Sequence, residues 1–172
     1  MKGVLQGALD RDFVRIGRSR IQGTGVFAKR KIPQGSRIIE YKGKRVPVSK
    51  FLIDLHNGKP GNVYAFRGTE GTVIDGSVGG NEARFFNHSC EPNCEALVFD
   101  DRVYLYAMVD IVRGTELTFD YKLQSPTPRE PTKDDRTVHE CRCGSPTCRG
   151  TMIAFATNHK PSTKRNATRG NK

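Results

Sequence analysis

Three of the five cysteines lie within a stretch of eight residues, and their spacing constrains the fold of this chain more than any other feature. They are Cys141, Cys143 and Cys148, in a segment that Gly and Pro interrupt. Tetrahedral zinc sites take four ligands and favour thiolates, so this segment supplies three of the four. A disulfide scaffold is the alternative, but an odd number of cysteines leaves one unpaired, and residues 141 and 143 are poorly placed to bridge each other. The spacing therefore predicts a zinc knuckle.

The fourth zinc ligand has to come from another part of the chain. The candidates are Cys90, Cys94, His88 and His139. The first three lie in the stretch 84–96, where phenylalanines run directly into a cluster of amide, imidazole, hydroxyl and thiol side chains. A surface turn beside one buried cysteine would explain that stretch equally well, because free cysteine packs as a small hydrophobic residue. The residues alone leave the choice of the fourth ligand open.

Four motifs, in this order along the chain, resemble the SET-domain family of protein lysine methyltransferases. They are Gly23-Thr24-Gly25-Val26-Phe27, Glu40-Tyr41-Lys42-Gly43, the stretch 84–94 and Glu116-Leu117-Thr118-Phe119-Asp120-Tyr121. The cysteine knuckle resembles the post-SET zinc segment that follows many of these domains. The resemblance spans residues 13–152. It implies a mostly β, SET-domain (β-clip) fold of short strands in small sheets, with a pseudoknot, one short inserted helix and a C-terminal zinc knuckle.

The resemblance also divides the chain into segments. These are an N-terminal flank (1–12), the SET domain (13–122), a linker (123–138), the post-SET zinc segment (139–155) and a basic tail (156–172) that we expect to be disordered. Within the SET domain, apolar residues at helical spacing predict one helix whose apolar stripe packs in the core. These residues are Val48, Phe51, Leu52 and Leu55. The dipeptide Asp100-Asp101 between two alternating runs predicts a β-hairpin.

The family's functional residues map onto this sequence residue by residue. The resemblance implies that Tyr121 is the catalytic tyrosine and that Tyr64 lies beside both the methyl donor and the target lysine. The lysine channel would be lined by Tyr64, Phe66, Phe119 and Tyr121. The residues that would bind S-adenosylmethionine are Gln22, Thr24, Gly25, Tyr64, Asn87, His88, Arg142 and Met152. The zinc ligands would be Cys90, Cys141, Cys143 and Cys148, because a thiolate at position 90 matches the other three, and this leaves Cys94 buried.

Aromatic residues suit this reaction because the lysine amine must be neutral to attack a methyl group. Its ordinary pKa of about 10.4 keeps it protonated near neutral pH. Desolvation in a narrow apolar channel and the positive charge of the donor both favour loss of that proton. At the position of Phe119, relatives carry Phe or Tyr, and a Tyr there holds a water that limits the number of methyl groups added. Phe119 therefore predicts di- or trimethylation.

The net charge of +11 bears on the partners, since the segment after Phe155 carries five cations and no acidic residue. Clustered cations contact phosphates, so this tail is a candidate for non-specific nucleic-acid contact, and a solvated tail that only aids solubility is the alternative. The expected protein partner is a lysine-bearing histone or histone-like tail. A methyltransferase of a non-histone protein and a catalytically silent SET fold that only binds peptide or cofactor are the alternatives.

The apolar residues also bear on the location of the protein. No run approaches the length of about 18 residues that a membrane-spanning helix needs, so no membrane partner is expected. Unpaired thiols favour a reducing, intracellular compartment. In a eukaryote this would be the nucleus and chromatin, and in a bacterium the cytoplasm, unless the protein is an exported effector.

Overall fold

The computed structural model describes residues 13–58, 64–68, 71–123 and 132–154, without the side chain of Leu55. The flank 1–12, the linker residues 124–131 and the tail 156–172 lie outside the described residues, so the predictions made for them are not addressed. No helix in the described ranges is long and apolar enough to cross a membrane.

Short strands dominate the described part of the chain, which confirms the mostly β prediction. The strands are β1 (Val14–Arg18), β2 (Thr24–Ala28), β3 (Arg37–Glu40), β4 (Lys44–Pro47), β5 (Ala65–Arg67), β6 (Thr72–Asp75), β7 (Asn87–His88), β8 (Cys94–Phe99), β9 (Arg102–Ala107) and β10 (Glu116–Phe119). The helices are α1 (Val48–His56), α2 (Lys133–Val138) and a 3-10 turn at Glu82–Phe85.

The strands form two sheets, and many neighbours in them are far apart in sequence. The larger sheet has the order β1-β2-β10-β8-β9-β3, with β7 paired to β10. The smaller sheet has the order β4-β6-β5. Strand β10 is central, because it lies antiparallel to β2 and parallel to both β7 and β8.

The crossing of β10 with the segment that joins β7 to β8 corresponds to the predicted pseudoknot. Thr118 pairs with Asn87, and Phe119 pairs with both His88 and Cys94. Asn93, in the joining segment, donates from its side-chain amide to the Glu116 carbonyl (2.8 Å), and its Oδ1 accepts from the Thr118 N–H (3.0 Å). A half-buried amide that satisfies a donor and an acceptor of β10 fixes the register of the crossing.

The core lies between the two faces that this crossing brings together. Its largest fully buried side chains include Phe86, Leu117, Leu105, Ile38 and Ile39. Phe86 directly precedes β7 and is 1% exposed, and burial of such a ring contributes about 1.5–3 kcal/mol. The polar residues that directly follow Phe86 are therefore anchored to the buried core.

The local sequence predictions concern helix α1, the burial of its apolar stripe and the β8–β9 hairpin. Helix α1 and the β8–β9 hairpin are confirmed, and Asp100 and Asp101 adopt positive φ angles of 46° and 59° in the tight turn. The prediction that the apolar stripe of α1 packs in the core is wrong for Leu52, which is 54% exposed. Helix α1 packs on β4 and β6 of the three-stranded sheet, and that sheet is too small to cover the stripe.

Helix α2 was not predicted, because the resemblance assigns its residues to the linker. Thr132 caps its N-terminus: the Thr132 hydroxyl accepts from the Asp135 N–H (3.2 Å), and the Asp135 carboxylate accepts from the Thr132 N–H (2.8 Å). This reciprocal capping box satisfies two backbone donors that the first turn otherwise leaves without partners. The short helix leads directly into the cysteine knuckle.

Candidate functional site

A cleft of about 250 Å³ opens between the β1–β2 turn, the pseudoknot and the C-terminal segment. Its lining residues are Ile21, Gln22, Asn87, His88, Tyr121, Thr137, Val138, Glu140, Cys141, Arg142 and Met152. Five of the residues predicted to bind the cofactor are among them: Gln22, Asn87, His88, Arg142 and Met152. Polar groups from the pseudoknot therefore face apolar and polar side chains from both termini of the described chain.

Asn87 fixes one wall of the cleft. Its buried side-chain amide donates to the carbonyls of Gln22 (3.3 Å) and Thr24 (3.1 Å) and to Oε1 of Glu116 (2.8 Å). A Cβ atom at Gly25 would collide with the Glu116 carboxylate, so a larger residue there would displace the carboxylate from its present position. Thr24 and Gly25 are not among the residues that line the cleft, and they adjoin it through the Thr24 carbonyl and through the contact of Gly25 with Glu116. Glu116 was missed, since it lies in a recognised motif but has no assigned role there.

Tyr121 is held at the end of the cleft by two hydrogen bonds. Its hydroxyl donates to the Phe86 carbonyl (2.7 Å), and its backbone N–H donates to Nδ1 of His88 (3.1 Å). Burial, followed by the nearby Tyr64 and Glu116, raises the pKa of the Tyr121 phenol well above its usual range. The phenol is therefore a neutral, oriented group.

A row of aromatic rings leads away from the cleft. Tyr41, Phe66, Phe119 and Tyr121 pack in sequence with ring centroids separated by 5.2, 5.8 and 4.9 Å. His88 continues the row beyond Tyr121, at 5.3 Å. Such tilted rings offer a continuous apolar wall with polarisable faces, which suits an extended aliphatic or cationic chain. Tyr41 belongs to one of the four motifs, but the sequence did not predict that it would lie in this row.

Tyr64 contributes to the same region from a different direction. Its ring packs edge-on against Phe85 at 5.6 Å, and the Arg84 guanidinium lies over both rings. The Tyr64 carbonyl accepts from the Tyr41 hydroxyl at 2.7 Å, which ties the two tyrosines together. The four predicted channel residues are thus in one neighbourhood, with Tyr64 packed on Phe85 and the other three in the aromatic row.

The four predicted metal ligands converge at the base of the cleft. The Sγ atoms of Cys90, Cys141, Cys143 and Cys148 all lie within 4.8 Å of one another. The distance from Cys90 Sγ is 3.7 Å to Cys141 Sγ and 4.0 Å to Cys148 Sγ. A tetrahedral Zn²⁺ with Zn–S bonds of about 2.3 Å requires sulfur atoms about 3.8 Å apart. The donor set and its spacing therefore fit zinc.

The other candidates for the fourth ligand have different partners. Cys94 is fully buried and donates to Oδ1 of Asn93, and burial raises its pKa to about 12, so it is a neutral thiol. Nδ1 of His88 accepts the Tyr121 N–H, which leaves the proton on Nε2, 3.4 Å from Cys90 Sγ. His88 is therefore placed to donate towards a ligand sulfur, a role that supports a metal site.

Arg149 connects the cysteine cluster to the segment after β10, which carries Tyr121. Its backbone N–H points to Cys90 Sγ at 3.3 Å, and its guanidinium makes a two-pronged ion pair with Asp120 at 2.9 and 2.8 Å. Burial opposes ionisation of Asp120, but the Arg149 guanidinium and the Lys122 N–H together outweigh it and hold the pKa of that carboxyl below its usual value. Asp120 directly precedes Tyr121, so the ion pair bridges cluster and cleft.

The segment after the cysteines closes the cleft on its remaining side. The Leu123 N–H donates to the Met152 carbonyl (3.2 Å), and the Ala154 N–H donates to the Leu123 carbonyl (2.8 Å). The Met152 N–H donates in turn to the His139 carbonyl (2.8 Å). Arg142, at the rim, pairs through its side chain with Glu140. These bonds hold Met152 at the cleft.

Sequence reasoning missed the contribution of the β1–β2 turn and of α2 to the lining. Ile21 precedes the predicted Gln22, while Thr137 and Val138 lie in the last turn of α2. Thr132 followed by Asp135 is a capping-box pattern that could have revealed the helix. No local pattern in the sequence predicts that α2 lies beside the cleft.

Comparison with known proteins places these features in context. The model of the family described as SET domain matches residues 23–122. "Histone-lysine N-methyltransferase, H3 lysine-4 specific" of Saccharomyces cerevisiae is 41% identical over 145 residues, which are 80% of this chain and 13% of that protein. "Histone-lysine N-methyltransferase trr" of Drosophila melanogaster is 37% identical over 148 residues, 83% of this chain and 6% of that protein.

A human protein and a solved structure show the same likeness. "Histone-lysine N-methyltransferase 2B" of Homo sapiens is 37% identical over 147 residues, 81% of this chain and 5% of that protein. The chain therefore spans only a small part of the length of these curated relatives. The humanized mutant of the Chaetomium thermophilum Polycomb Repressive Complex 2 bound to the inhibitor GSK126 matches with a TM-score of 0.57 and 28% identity. That match covers 63% of this chain and 14% of the other.

Proposed function

The chain belongs to the SET-domain family, and from this premise we propose that it transfers methyl groups from S-adenosylmethionine to lysine side chains of histones or histone-like proteins. The observation that carries the proposal is the position of Tyr121, whose neutral hydroxyl is fixed between a polar cleft and a row of aromatic rings. A donor in the cleft and an amine in the row would meet at this hydroxyl.

The cleft residues suit S-adenosylmethionine. The Asn87 amide holds the backbone at the carbonyls of Gln22 and Thr24, and this backbone, with the adjacent Gly25, can contact the amino-acid part of the donor. His88, Arg142 and Met152 face the same space, and Met152 offers an apolar cap for the adenine ring. When bound, S-adenosylmethionine supplies an electrophilic methyl group on a positively charged sulfur.

The aromatic row suits the lysine. An amine with an ordinary pKa of about 10.4 must lose its proton to attack, and removal from water favours that loss. Phe66 and Phe119 confine the aliphatic stem, with Tyr41 and Tyr64 beside them. Fixed approach along such a passage contributes several of the roughly 7–11 kcal/mol available from orientation. The Tyr121 hydroxyl lies at the end of the row, where it can orient the amine and polarise the methyl group through weak C–H···O contacts.

Zinc has a structural part in this proposal. Cys90, Cys141, Cys143 and Cys148 would hold the ion, and closing this site ties the pseudoknot to the C-terminal segment. Met152 and Arg142 lie in that segment, so metal binding completes the wall of the donor cleft. The metal would thereby support donor binding without contacting the reacting atoms.

The extent of methylation follows from Phe119. Its ring is 6% exposed and packs between Phe66 and Tyr121, with no hydroxyl to hold a water next to the amine. An amine that already carries methyl groups can therefore still be accommodated. We expect di- or trimethylation.

The names of the relatives support the choice of substrate. Several are called histone-lysine N-methyltransferases, and that of Saccharomyces cerevisiae is called H3 lysine-4 specific. A histone or histone-like tail is thus the proposed partner, and a nucleus with chromatin is the proposed location if the host is eukaryotic. Contact of the tail 156–172 with nucleic acid stays a prediction.

Incubation of the full chain with radiolabelled S-adenosylmethionine and core histones tests the proposal. We expect label in a histone band, and Tyr121→Phe should lower the rate by about 100-fold or more, the scale seen when an oriented catalytic donor is removed. Calorimetry should show that this variant still binds the donor. A wild-type protein that binds the donor but labels no histone and no lysate protein would instead be a silent binding module.

A further inference from the structure

Cations are distributed unevenly, and the N-terminal part of the described chain contains no carboxylate to balance them. Residues 13–39 include seven Lys and Arg and no Asp or Glu. Lys31 is paired with Asp110 at 2.9 Å, and Arg37 lies on β3 away from the others. The remaining five cations are all exposed and belong to the β1–β2 hairpin and the residues that directly follow it.

Three of these cations share one face of the hairpin with two phenylalanines. Arg15 pairs with Phe27 in the antiparallel register, and its guanidinium lies 4.9 Å from the Phe27 ring centre. One step along the strands, the Lys29 N–H donates to the Phe13 carbonyl (2.8 Å), and the Arg30 guanidinium lies 4.4 Å from the Phe13 ring centre. We call this set, Phe13, Arg15, Phe27, Lys29 and Arg30, the basic hairpin face.

We propose that the basic hairpin face binds the phosphate backbone of nucleic acid. An arginine whose guanidinium lies over an aromatic ring can keep N–H groups free to bind a phosphate. The two stacked pairs lie two residues apart along β1, about 7 Å at 3.3–3.4 Å per residue. The stacks hold both guanidiniums in place before binding, so less side-chain entropy is lost when phosphates are contacted.

Nucleic acid fits this face better than an anionic membrane does. Both phenylalanines are half-buried beneath the guanidiniums, so the face presents charge and no apolar side chain that could insert between lipids. The nearest carboxylate across the sheet is Glu116, opposite Phe27, and it is hydrogen-bonded to Asn87. The face is thus a cationic strip with an aromatic base.

A simpler explanation is that these cations only protect an edge strand. Strand β1 lies at the end of the larger sheet, and charged side chains on edge strands discourage pairing with other chains. Edge protection predicts that neutral residues at these positions cause aggregation without changing the affinity for nucleic acid. The two explanations therefore differ in a measurable way.

The test measures binding of the full chain to fluorescein-labelled duplex DNA of mixed sequence by anisotropy at several salt concentrations. The variant Arg15→Gln/Lys29→Gln/Arg30→Gln is compared with a matched control, Lys44→Gln/Lys50→Gln/Lys133→Gln, in which three exposed cations outside the face are removed. Each phosphate contact contributes about 0.9 to the slope of log K against log salt. We expect the hairpin variant to reduce the slope by about 2–3 and to weaken binding at low salt by about tenfold or more. The control should change little.

Three results would overturn the proposal. They are no binding by the wild type, an unchanged slope in the hairpin variant, and equal losses in both variants, which would mean that only net charge or the tail matters. Anionic vesicles serve as a second probe. If the hairpin variant loses binding to vesicles but binds the duplex as the wild type does, the proposal is overturned, just as it is by an unchanged slope. Should the triple variant fail to fold, Arg30→Gln alone is expected to lower the slope by about 1. The assay contains no donor or histone, so its outcome is independent of the proposed methyl transfer.

Discussion

Tyr121 illustrates how burial and hydrogen bonding together fix the protonation and direction of one side chain. The Phe86 carbonyl accepts the phenolic proton, and the buried position disfavours phenolate. Both effects keep the hydroxyl as a donor with a fixed direction. The same carbonyl follows a fully buried ring, so the acceptor itself has little freedom to move.

The protonation of Tyr121 leads to a prediction about pH. Since its pKa is raised well above the ordinary value of about 10, the hydroxyl stays neutral while a substrate lysine with a pKa of about 10.4 loses its proton. We therefore expect kcat/KM on a histone peptide to rise with pH up to about 10, with no descending limb from the tyrosine. Steady-state assays with circular dichroism at each pH provide the check. A fall in activity between about pH 9 and 10 in still-folded protein would contradict it.

A second prediction at the scale of one residue concerns Phe119 and the number of methyl groups transferred. In Phe119→Tyr the added hydroxyl would hold a water beside the amine, so the product should shift from di- or trimethyl-lysine to monomethyl-lysine. Mass spectrometry of a methylated peptide gives the product ratio. Phe99→Tyr, which adds a hydroxyl to a ring that is 53% exposed on the β8–β9 hairpin, should leave the ratio unchanged. Monomethylation by the wild type would show that the space at Phe119 is not the deciding factor.

At this scale the sequence was informative where a residue type carries its own chemistry. Tyr121 and the knuckle cysteines could be assigned from motifs because phenol and thiolate have few equivalents. Tyr41 and Glu116 could not, since their roles depend on neighbours that are distant in sequence, namely Phe66 for the one and Asn87 for the other. Contacts of this kind follow from the fold and have no local pattern.

The elements around the cleft are joined mainly through the pseudoknot and the cysteine knuckle. The Asp120–Arg149 ion pair is one side-chain link between them, and Asp120 directly precedes Tyr121. Its side chains are 17% and 22% exposed, so solvent screens it less than the surface pairs elsewhere on the chain. The link can therefore transmit the position of the knuckle to the residues that follow β10, including Tyr121.

A double-mutant cycle measures this link. We expect Asp120→Asn and Arg149→Gln each to release zinc faster to a chromogenic chelator and to bind S-adenosylmethionine more weakly, because each leaves a partly buried charge without its partner. The double variant should release zinc no faster and bind the donor no more weakly than either single variant. This corresponds to a coupling energy of about 1–3 kcal/mol. Calorimetry supplies the donor affinity.

The exposed pair Lys31–Asp110 provides the control for that cycle. Its side chains are 66% and 58% exposed, and such pairs contribute about 0–1 kcal/mol. The corresponding variants, Lys31→Gln and Asp110→Asn, should leave zinc release and donor affinity unchanged. Additive effects of Asp120→Asn and Arg149→Gln would mean that the two residues act separately.

Elements differ in how far their sequences specify them. The β8–β9 hairpin was predictable because the Asp100-Asp101 turn and the flanking alternation agree. Helix α1 was predictable as a helix, but the exposure of Leu52 depends on how small the facing sheet is. Helix α2 carries Lys, Asp and Arg and has no buried residue, so periodicity gives no signal for it.

Strand order is the feature of the whole molecule that sequence patterns reveal least. The resemblance to a family predicted a pseudoknot but no strand order, and the pairing of β10 with β2, β7 and β8 joins strands so distant in sequence that it leaves no mark on composition or periodicity. Once this arrangement is present, the cleft, the aromatic row and the cysteine cluster are neighbours. The site is therefore a property of the topology, with the residue types predicted and their placement supplied by the fold.

Net charge leads to a prediction for the molecule as a whole. The chain carries +11 and the proposed histone tail is also cationic, so the two repel at long range. Salt screens this repulsion, with a Debye length that falls from about 30 Å at 0.01 M to about 8 Å at 0.15 M.

We therefore expect kcat/KM on a basic histone peptide to rise over that range, while a peptide whose flanking arginines are replaced by citrulline shows little change. Binding to duplex DNA should respond in the opposite direction, because counterions compete for the phosphates. Initial rates at fixed pH provide the measurement, and a kcat/KM that falls with salt for the basic peptide would indicate a locally acidic substrate groove that outweighs the net charge.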